Sequence, residues 1–354
     1  MVAVSMFGRL ATDTAALRAR MEVLARQVAD GRKGTFYGDI APEARRAIDL
    51  RADIAMRATY GGTIDGALGR TQVAQTVLGQ IETIASDAMA STLSLPGTDV
   101  RRVTVVAQQA RAALVQVAQL LNERQAGDYV FGGSDFLNPP IPDAANILSS
   151  GMAVQIATAV AGLVPGGAAA VAASTLAAAS SDAPGVTPFS AFHSDPLAGL
   201  NEPRRAVPAE DGPRIEYGML ANRNAAAVSG GNTTGSWARD LMRGLATLAA
   251  LDPSQVTLGA DFQTVVADAR ESLRSATEAL GQERGLLGAV EKRLGTLKDA
   301  HVELSLTLKL QLSSIEEVDA ADAIARLQST RNQIEASYQA IATIGQLSLA
   351  RFLA

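Results

Sequence analysis

The sequence predicts a mainly α protein. An N-terminal and a C-terminal helical arm pair as a long antiparallel bundle or coiled coil, with a small mixed insert domain in the middle. Both ends of the chain repeat apolar residues at alternating spacings of four and three, the pattern that lays one stripe along a helix for a partner helix to cover. Neither end carries an obvious globular core of its own, which suits ends that pair with each other and with copies of themselves. The middle differs in composition, being rich in Gly, Pro, Ala and Ser, so it reads as an insertion and not as a continuation of either arm.

From the N-terminus, Leu17, Met21, Leu24 and Val28 form the first stripe, on a helix made basic by Arg18, Arg20 and Arg26 and ended by Gly31 and Gly34. A turn-rich connector follows from Arg32 to about Glu43. Helix resumes from Ala44 to Thr92 on the anchors Ile64, Leu68, Leu78, Ile81 and Ile84, with Gly61 and Gly62 expected to loosen it. Pro96 and Gly97 break it, and Thr98 or Asp99 caps a helix striped by Val103, Val106, Ala110, Ala113, Val117 and Leu120 that ends before Gly127. So short a turn makes the two helices antiparallel neighbours. From Asp128 to about Trp237 short apolar stretches predict mixed structure, least ordered between Gly166 and Pro184, where Ala dominates.

Helix returns at Trp237 to Leu251, with Leu241, Leu245 and Leu248 on one face. Next comes the longest stripe, Phe262, Val266, Ala269, Leu273, Ala276, Leu280, Glu283, Leu287, Val290, Leu294, Leu297, His301, Leu304 and Leu308, interrupted by Glu283 and His301. A continuous helix of that span is about 70 Å long, which predicts a rod. Ser314 and Glu317 stand at capping-box spacing, where a new helix starts or a continuing one bends. A last heptad run takes in Ala320, Ile324, Leu327, Arg331, Ile334, Tyr338 and Ile341, and an apolar tail of Leu347, Leu349, Phe352 and Leu353 needs a partner.

The reading divides the chain into terminal arms (1–43 and 312–354), a helical rod (44–133 and 237–311) and an inserted domain (134–236). The expected assembly interface is Leu17, Met21, Leu24, Val28, Ile324, Leu327, Ile334, Tyr338, Ile341, Leu347, Leu349 and Phe352.

Composition narrows the function. Of 354 residues 47% are hydrophobic and 19% charged, so the chain has ample apolar surface to bury, and a net charge of −5 offers no electrostatic footprint for nucleic acid. The absence of cysteine removes disulfides, thiol catalysis and thiolate-bound metal. With only His193 and His301, a histidine-rich metal site is not expected either, and His301 reads as packing. The uncharged run Ala144 to Ser181 is broken by Pro165, Gly166 and Gly167, so no membrane insertion is expected. The N-terminus lacks the basic start, apolar stretch and small-residue cleavage site of a secretory signal, so export without a cleaved signal peptide is the expectation.

Neither a His-Glu-x-x-His pattern, a Gly-x-Ser-x-Gly elbow nor a phosphate loop is present, so no catalytic residue, cofactor or metal is expected. Glu316, Glu317, Asp319 and Asp322 form the densest carboxylate cluster, but at a helix start they read as capping and solvation. Trp237, Tyr338 and Met21 read as packing residues.

The C-terminal stretch SSIEEVDAADAIARLQSTRNQIEASYQAIATIGQLSLARFL resembles the flagellin superfamily. LARQVADGRK resembles that family's first helix and its closing turn, and DYVFGGSD at 128–135 is similar to the Phe-Gly-Gly turn that ends its second helical segment. The Asp-Asp-Pro segment common after the first helix is replaced here by GDIAPEARRAIDL. Within the superfamily, the Tyr129–Ser134 turn followed by Pro139 and Pro140, the segment IEYGMLANRNAA and the ending LSLARFLA are most similar to the hook-filament junction branch, the hook-associated protein 3 type. Filament flagellin is the alternative.

The resemblance implies a secreted structural protein of the extracellular bacterial flagellum, exported by the flagellar type III route. It implies self-association into a ring or helical oligomer, hook-associated protein 1 and flagellin as neighbours, and an export chaperone on the C-terminal arm. A secreted effector with an active middle domain is the runner-up from a different class.

Overall fold

The computed structural model describes residues 2–95, 100–195, 202–222 and 231–353, with side chains from residue 8 to residue 343 within those ranges. The protein is mainly helical, and its two terminal helices pack on each other. It divides into two compact units, Met1–Thr59 with Ala300–Ala354, and Tyr60–Asp299.

The first unit holds α1 (Val2–Asp30), a 3-10 helix at Tyr37–Ile40, the start of α2 (Ala44–Thr92), the end of α8 (Ala260–Glu316) and α9 (Ala320–Leu353). Helix α1 stops at Gly31, whose φ of +70° is a left-handed conformation that suits glycine, and the Gly31 amide donates to Gln27 O at 3.0 Å. The chain then pairs with the break between α8 and α9. The Lys33 amide donates to Glu316 O at 2.8 Å, and the Val318 amide donates to Gly31 O at 3.1 Å. Arg51 adds an ion pair to Glu316 at 2.8 Å. The connector is ordered by Asp39, whose Oδ2 accepts from the amides of Thr35 and Phe36 at 2.9 and 3.0 Å. Ala47, Leu50 and Ile315 form the core where α2 meets α8, with Ile40, Leu308 and Leu312 packed against it.

Two expectations at this junction are corrected. The break falls at Glu317–Asp319, and α9 is capped by Asp319, whose Oδ1 accepts from the amides of Ala321 and Asp322 at 2.9 and 3.2 Å. Ser314 is still inside α8 and its hydroxyl donates to Gln311 O at 2.7 Å, so the Ser314/Glu317 capping box does not form. The long stripe holds from Phe262 to His301, but Leu304 is 40% exposed and Ser305 takes the half-buried place. The spacing becomes four, four, three because a straight helix drifts relative to a strict seven-residue repeat.

The second unit contains α3 (Val100–Leu120), α4 (Gly151–Ala161), α5 (Ala168–Ser180), α6 (Ala191–Ser194), α7 (Trp237–Ala249) and the remainder of α2 and α8. Two antiparallel two-stranded pairs complete it, β1 (Arg124–Gln125) with β2 (Asp128–Tyr129), and β3 (Ala206–Val207) with β4 (Ile215–Glu216). Every residue of α7 is buried, so this helix is the axis of the core. Its three buried charges are all partnered. Arg239 pairs with Asp182, Arg243 with Asp268 at 2.5 Å, and Asp240 accepts from the Thr234 and Ser275 hydroxyls at 2.8 and 3.1 Å.

The alanine-rich segment expected to be least ordered, Gly166 to Pro184, is largely α5, with Val171, Thr175, Ala178 and Ala179 buried. Small side chains let α7 approach closely enough for its arginines to reach α5 carbonyls, Arg239 at Ala179 O (3.1 Å) and Arg243 at Ala172 O (3.0 Å). The apolar window Ala144–Ala161 is two elements, a 3-10 helix at Ala144–Ser149 and α4, separated by extended backbone at Ser150 (φ −63°, ψ 150°). Gly61 and Gly62 do not interrupt α2, which is continuous. The expected Pro96–Gly97 break and the Thr98 or Asp99 cap lie outside the described residues.

Candidate assembly interface

Among the described side chains of α1 the buried and half-buried residues are Leu10, Thr14, Leu17, Met21, Leu24, Gln27 and Val28, and all but Gln27 alternate by four and three. On α9 they are Ala323, Leu327, Thr330, Ile334, Ser337 and Ile341, with the same alternation. These two stripes face each other antiparallel. Gly31 lies beside Val318 at one end, and Arg18 donates to the Tyr338 hydroxyl at 2.5 Å further along, with its guanidinium 5.3 Å from the ring centroid. Among the described residues the seam is thin, with Thr14, Leu24, Ala323, Thr330 and Ile334 its buried members. Its two threonines are tolerated because each hydroxyl bonds back one turn, Thr14 to Leu10 O (2.6 Å) and Thr330 to Arg326 O (2.8 Å).

Leu17, Met21, Leu24 and Val28 therefore all lie on the seam within the chain, as do Leu327, Ile334 and Ile341. Ile324 and Tyr338 are not part of its buried stripe, and Tyr338 meets α1 only at the edge, through Arg18. They are 42% and 40% exposed, so the single stripe through Ala320, Ile324, Arg331 and Tyr338 is corrected to one displaced by a residue, through Ala323, Thr330 and Ser337. The large apolar residues of α9 thus divide between two faces. Sequence reasoning missed Ala323, Thr330 and Ser337 because their side chains are small or polar, and the signal that would have found them is the phase of the opposing α1 stripe. The side chains of Leu347, Leu349 and Phe352 lie outside the described residues, although the α9 backbone continues to Leu353.

The second unit brings together the two internal motifs. In the turn after β2, Phe131 O accepts from the Ala221 amide and from His193 Nε2, both at 3.1 Å, and Gly132 bridges Leu220. Gly133 has φ +63°, and a Cβ there would lie 2.7 Å from Leu220 Cδ2, so the double glycine is required by a close approach as well as by the turn. Asp128 sits between Arg70 (3.4 Å) and Arg205 (3.2 Å). Glu283, an interruption in the long stripe, accepts from Arg204 Nη2 at 2.9 and 3.1 Å while only 2% exposed.

The groups that could have supported catalysis are engaged structurally. His193 and Ser190 lie 2.9 Å apart, resembling a nucleophile and base, but both are buried and His193 Nε2–H donates to a backbone carbonyl, not to a carboxylate. Burial holds the imidazole below its ordinary pKa, so the ring is neutral, and Ser190 Oγ caps α6. Of the carboxylate cluster, Glu316 binds Arg51, Glu317 accepts from the Ser313 hydroxyl at 2.5 Å, Asp319 caps α9 and Asp322 pairs with Arg326 at 2.8 Å. Trp237 is fully buried.

Comparison with curated proteins finds no match. The family model of the bacterial flagellin C-terminal helical region matches residues 271–353, which take in most of α8 and all of α9. Among solved structures, a chain described as a flagellar hook-associated protein from Vibrio parahaemolyticus is similar over 77% of this chain and 96% of its own, with a TM-score of 0.52 and 11% sequence identity. The C-terminal helices are thus flagellin-like in sequence, and the chain shares the fold of that hook-associated protein.

Proposed function

We propose that this chain is a structural subunit of the bacterial flagellum, and within it the subunit that joins hook to filament. The observation that carries the reading is the α1–α9 pair, a terminal seam with few buried residues on a segment that matches the flagellin C-terminal region. So thin a seam stabilises two helices weakly. Packing against further copies would supply the missing burial, so ordering of the arms and assembly are coupled and conditional on a correct template.

Before assembly such arms are easily unfolded for a narrow export channel and expose apolar surface that an escort covers. Export by the flagellar type III route, a chaperone on the C-terminal arm, and contacts to hook-associated protein 1 and to flagellin follow from this reading. Of the residues it uses, Leu17, Met21, Leu24 and Val28 on α1 and Leu327, Ile334 and Ile341 on α9 hold the two arms of one chain together, and Ile324, Tyr338, Leu347, Leu349 and Phe352 of α9 are proposed to meet other copies. The junction role is favoured over a filament subunit by the turn after β2 and by the ending LSLARFLA.

Deleting the coding sequence and viewing the cells by electron microscopy, with flagellin assayed in the medium, tests the proposal. Hooks without filaments and flagellin shed as monomer are expected. Altered filaments still attached would make this a filament subunit, and unchanged flagella would overturn the structural role.

A further inference from the structure

The end of α8 has a second apolar face that nothing among the described residues of the first unit covers. Val302, Leu306 and Leu310, four residues apart, are 62%, 60% and 65% exposed. They lie about 140° round the helix from the seam that α8 makes with α2 through residues such as Leu308, Leu312 and Ile315, at about 100° per residue. A run of this kind is an i±4 ridge, which packs into the groove of another helix.

The complementary surface is on the same unit. The face of α2 about 150° from its own seam carries Ala52, Ala55 and Thr59, all exposed, with Ile48 (48% exposed) at its end. Small side chains there leave a shallow groove. The two surfaces point in opposite directions from the α2–α8 pair, so one chain cannot bring them together. They are nevertheless in step. The helices run antiparallel with Ala47 and Leu50 clustered on Ile315 and Leu312, and equal advance along each places Ala52, Ala55 and Thr59 level with Leu310, Leu306 and Val302. Beside the ridge stands Lys309, and beside the groove Asp49. Both are exposed and of opposite sign.

We infer that the Val302–Leu306–Leu310 ridge of one copy seats in the Ala52–Ala55–Thr59 groove of the next copy, aligned side by side without axial offset. A contact between unlike faces repeats from copy to copy instead of closing as a dimer. The ridge alone is smaller than the roughly 800 Å² per partner of a stable interface, so it acts together with the outer faces of α1 and α9. This inference rests on the reading of the chain as a self-assembling subunit.

The absence of cysteine gives a clean test. The full chain carrying Ala55→Cys and Leu306→Cys, polymerised at high concentration and then oxidised, is expected to give a ladder of covalent multimers, while either single variant stays monomeric on a denaturing gel. Both positions are exposed, and unchanged circular dichroism would show that the variants fold. Polymers that form but yield no ladder would overturn this contact and leave the assembly reading standing. Dimers from Leu306→Cys alone, or its capture by an unlike chain from the cell without a self-ladder, would overturn it too. A chain that never polymerises would remove the assembly reading itself, and this contact with it.

Discussion

Replacing Ile334 with Asp and, separately, Ile324 with Asp separates the seam within the chain from the surface outside it. Ile334 is 7% exposed between α9 and α1, and Ile324, ten residues earlier on the same helix, is 42% exposed. Removing a buried isoleucine side chain costs about 2–5 kcal/mol through lost transfer energy and the cavity left behind. A carboxylate in its place adds a desolvation penalty of about 1–3 kcal/mol. With so few other buried residues in the seam, a loss of about 3–8 kcal/mol exceeds what the pair holds. Ile334→Asp is therefore expected to separate α1 from α9 in the isolated chain. Ile324→Asp should change monomer stability by less than about 0.5 kcal/mol while reducing assembly. Hydrogen exchange of residues 10–28 and 323–341 reads the first effect, and sedimentation of polymerised protein reads the second. Fast exchange in Ile324→Asp with protection retained in Ile334→Asp would refute the seam described for α1 and α9.

The buried ionisable groups of the second unit give three further predictions. Arg243→Met removes the partner of Asp268 and should cost about 3–5 kcal/mol, measured by urea unfolding. The double variant Arg243→Met with Asp268→Leu should recover much of that, and no difference between single and double would show the pair is not coupled. Arg204→Met should destabilise the fold by about 3 kcal/mol, whereas Glu283→Leu, which restores an apolar seam position, should be near neutral; the reverse order would contradict the geometry. His193 is held below its ordinary pKa of 6.5 by burial, so the unfolded chain takes up a proton before the folded one does. Stability is thus full above about pH 6.5 and declines as pH falls below it. The decline should flatten in His193→Gln, and parallel curves for the two proteins would contradict the buried neutral ring. Asp240 and Asp268, raised by burial, slope the other way at more acidic pH in both proteins and cancel in the comparison.

Much of the helical architecture was legible because long helices repeat their burial pattern many times. The stripe from Phe262 to His301 and the run from Leu17 to Val28 are both occupied as the spacing predicts. The α9 seam was legible only in part. A stripe through Ile324 and Tyr338 and one through Ala323 and Thr330 differ by one residue, and apolar size alone favours the wrong one. The insert hid its order for the opposite reason. Its helix α5 is built mostly from Ala, whose small side chains leave a weak periodic signal, while the arginines that fix it lie on α7. Glu283 could not be assigned from the stripe, because its partner Arg204 is 79 residues away.

The central claim, a structural subunit located where hook meets filament, is tested most directly by immunogold labelling of intact flagella with an antibody against the insert, residues 134–236. The account predicts gold in one narrow band at the hook-filament boundary. Gold along the whole filament would move the chain to the filament, and flagella without gold while the protein stays in the cell or the medium would contradict the account.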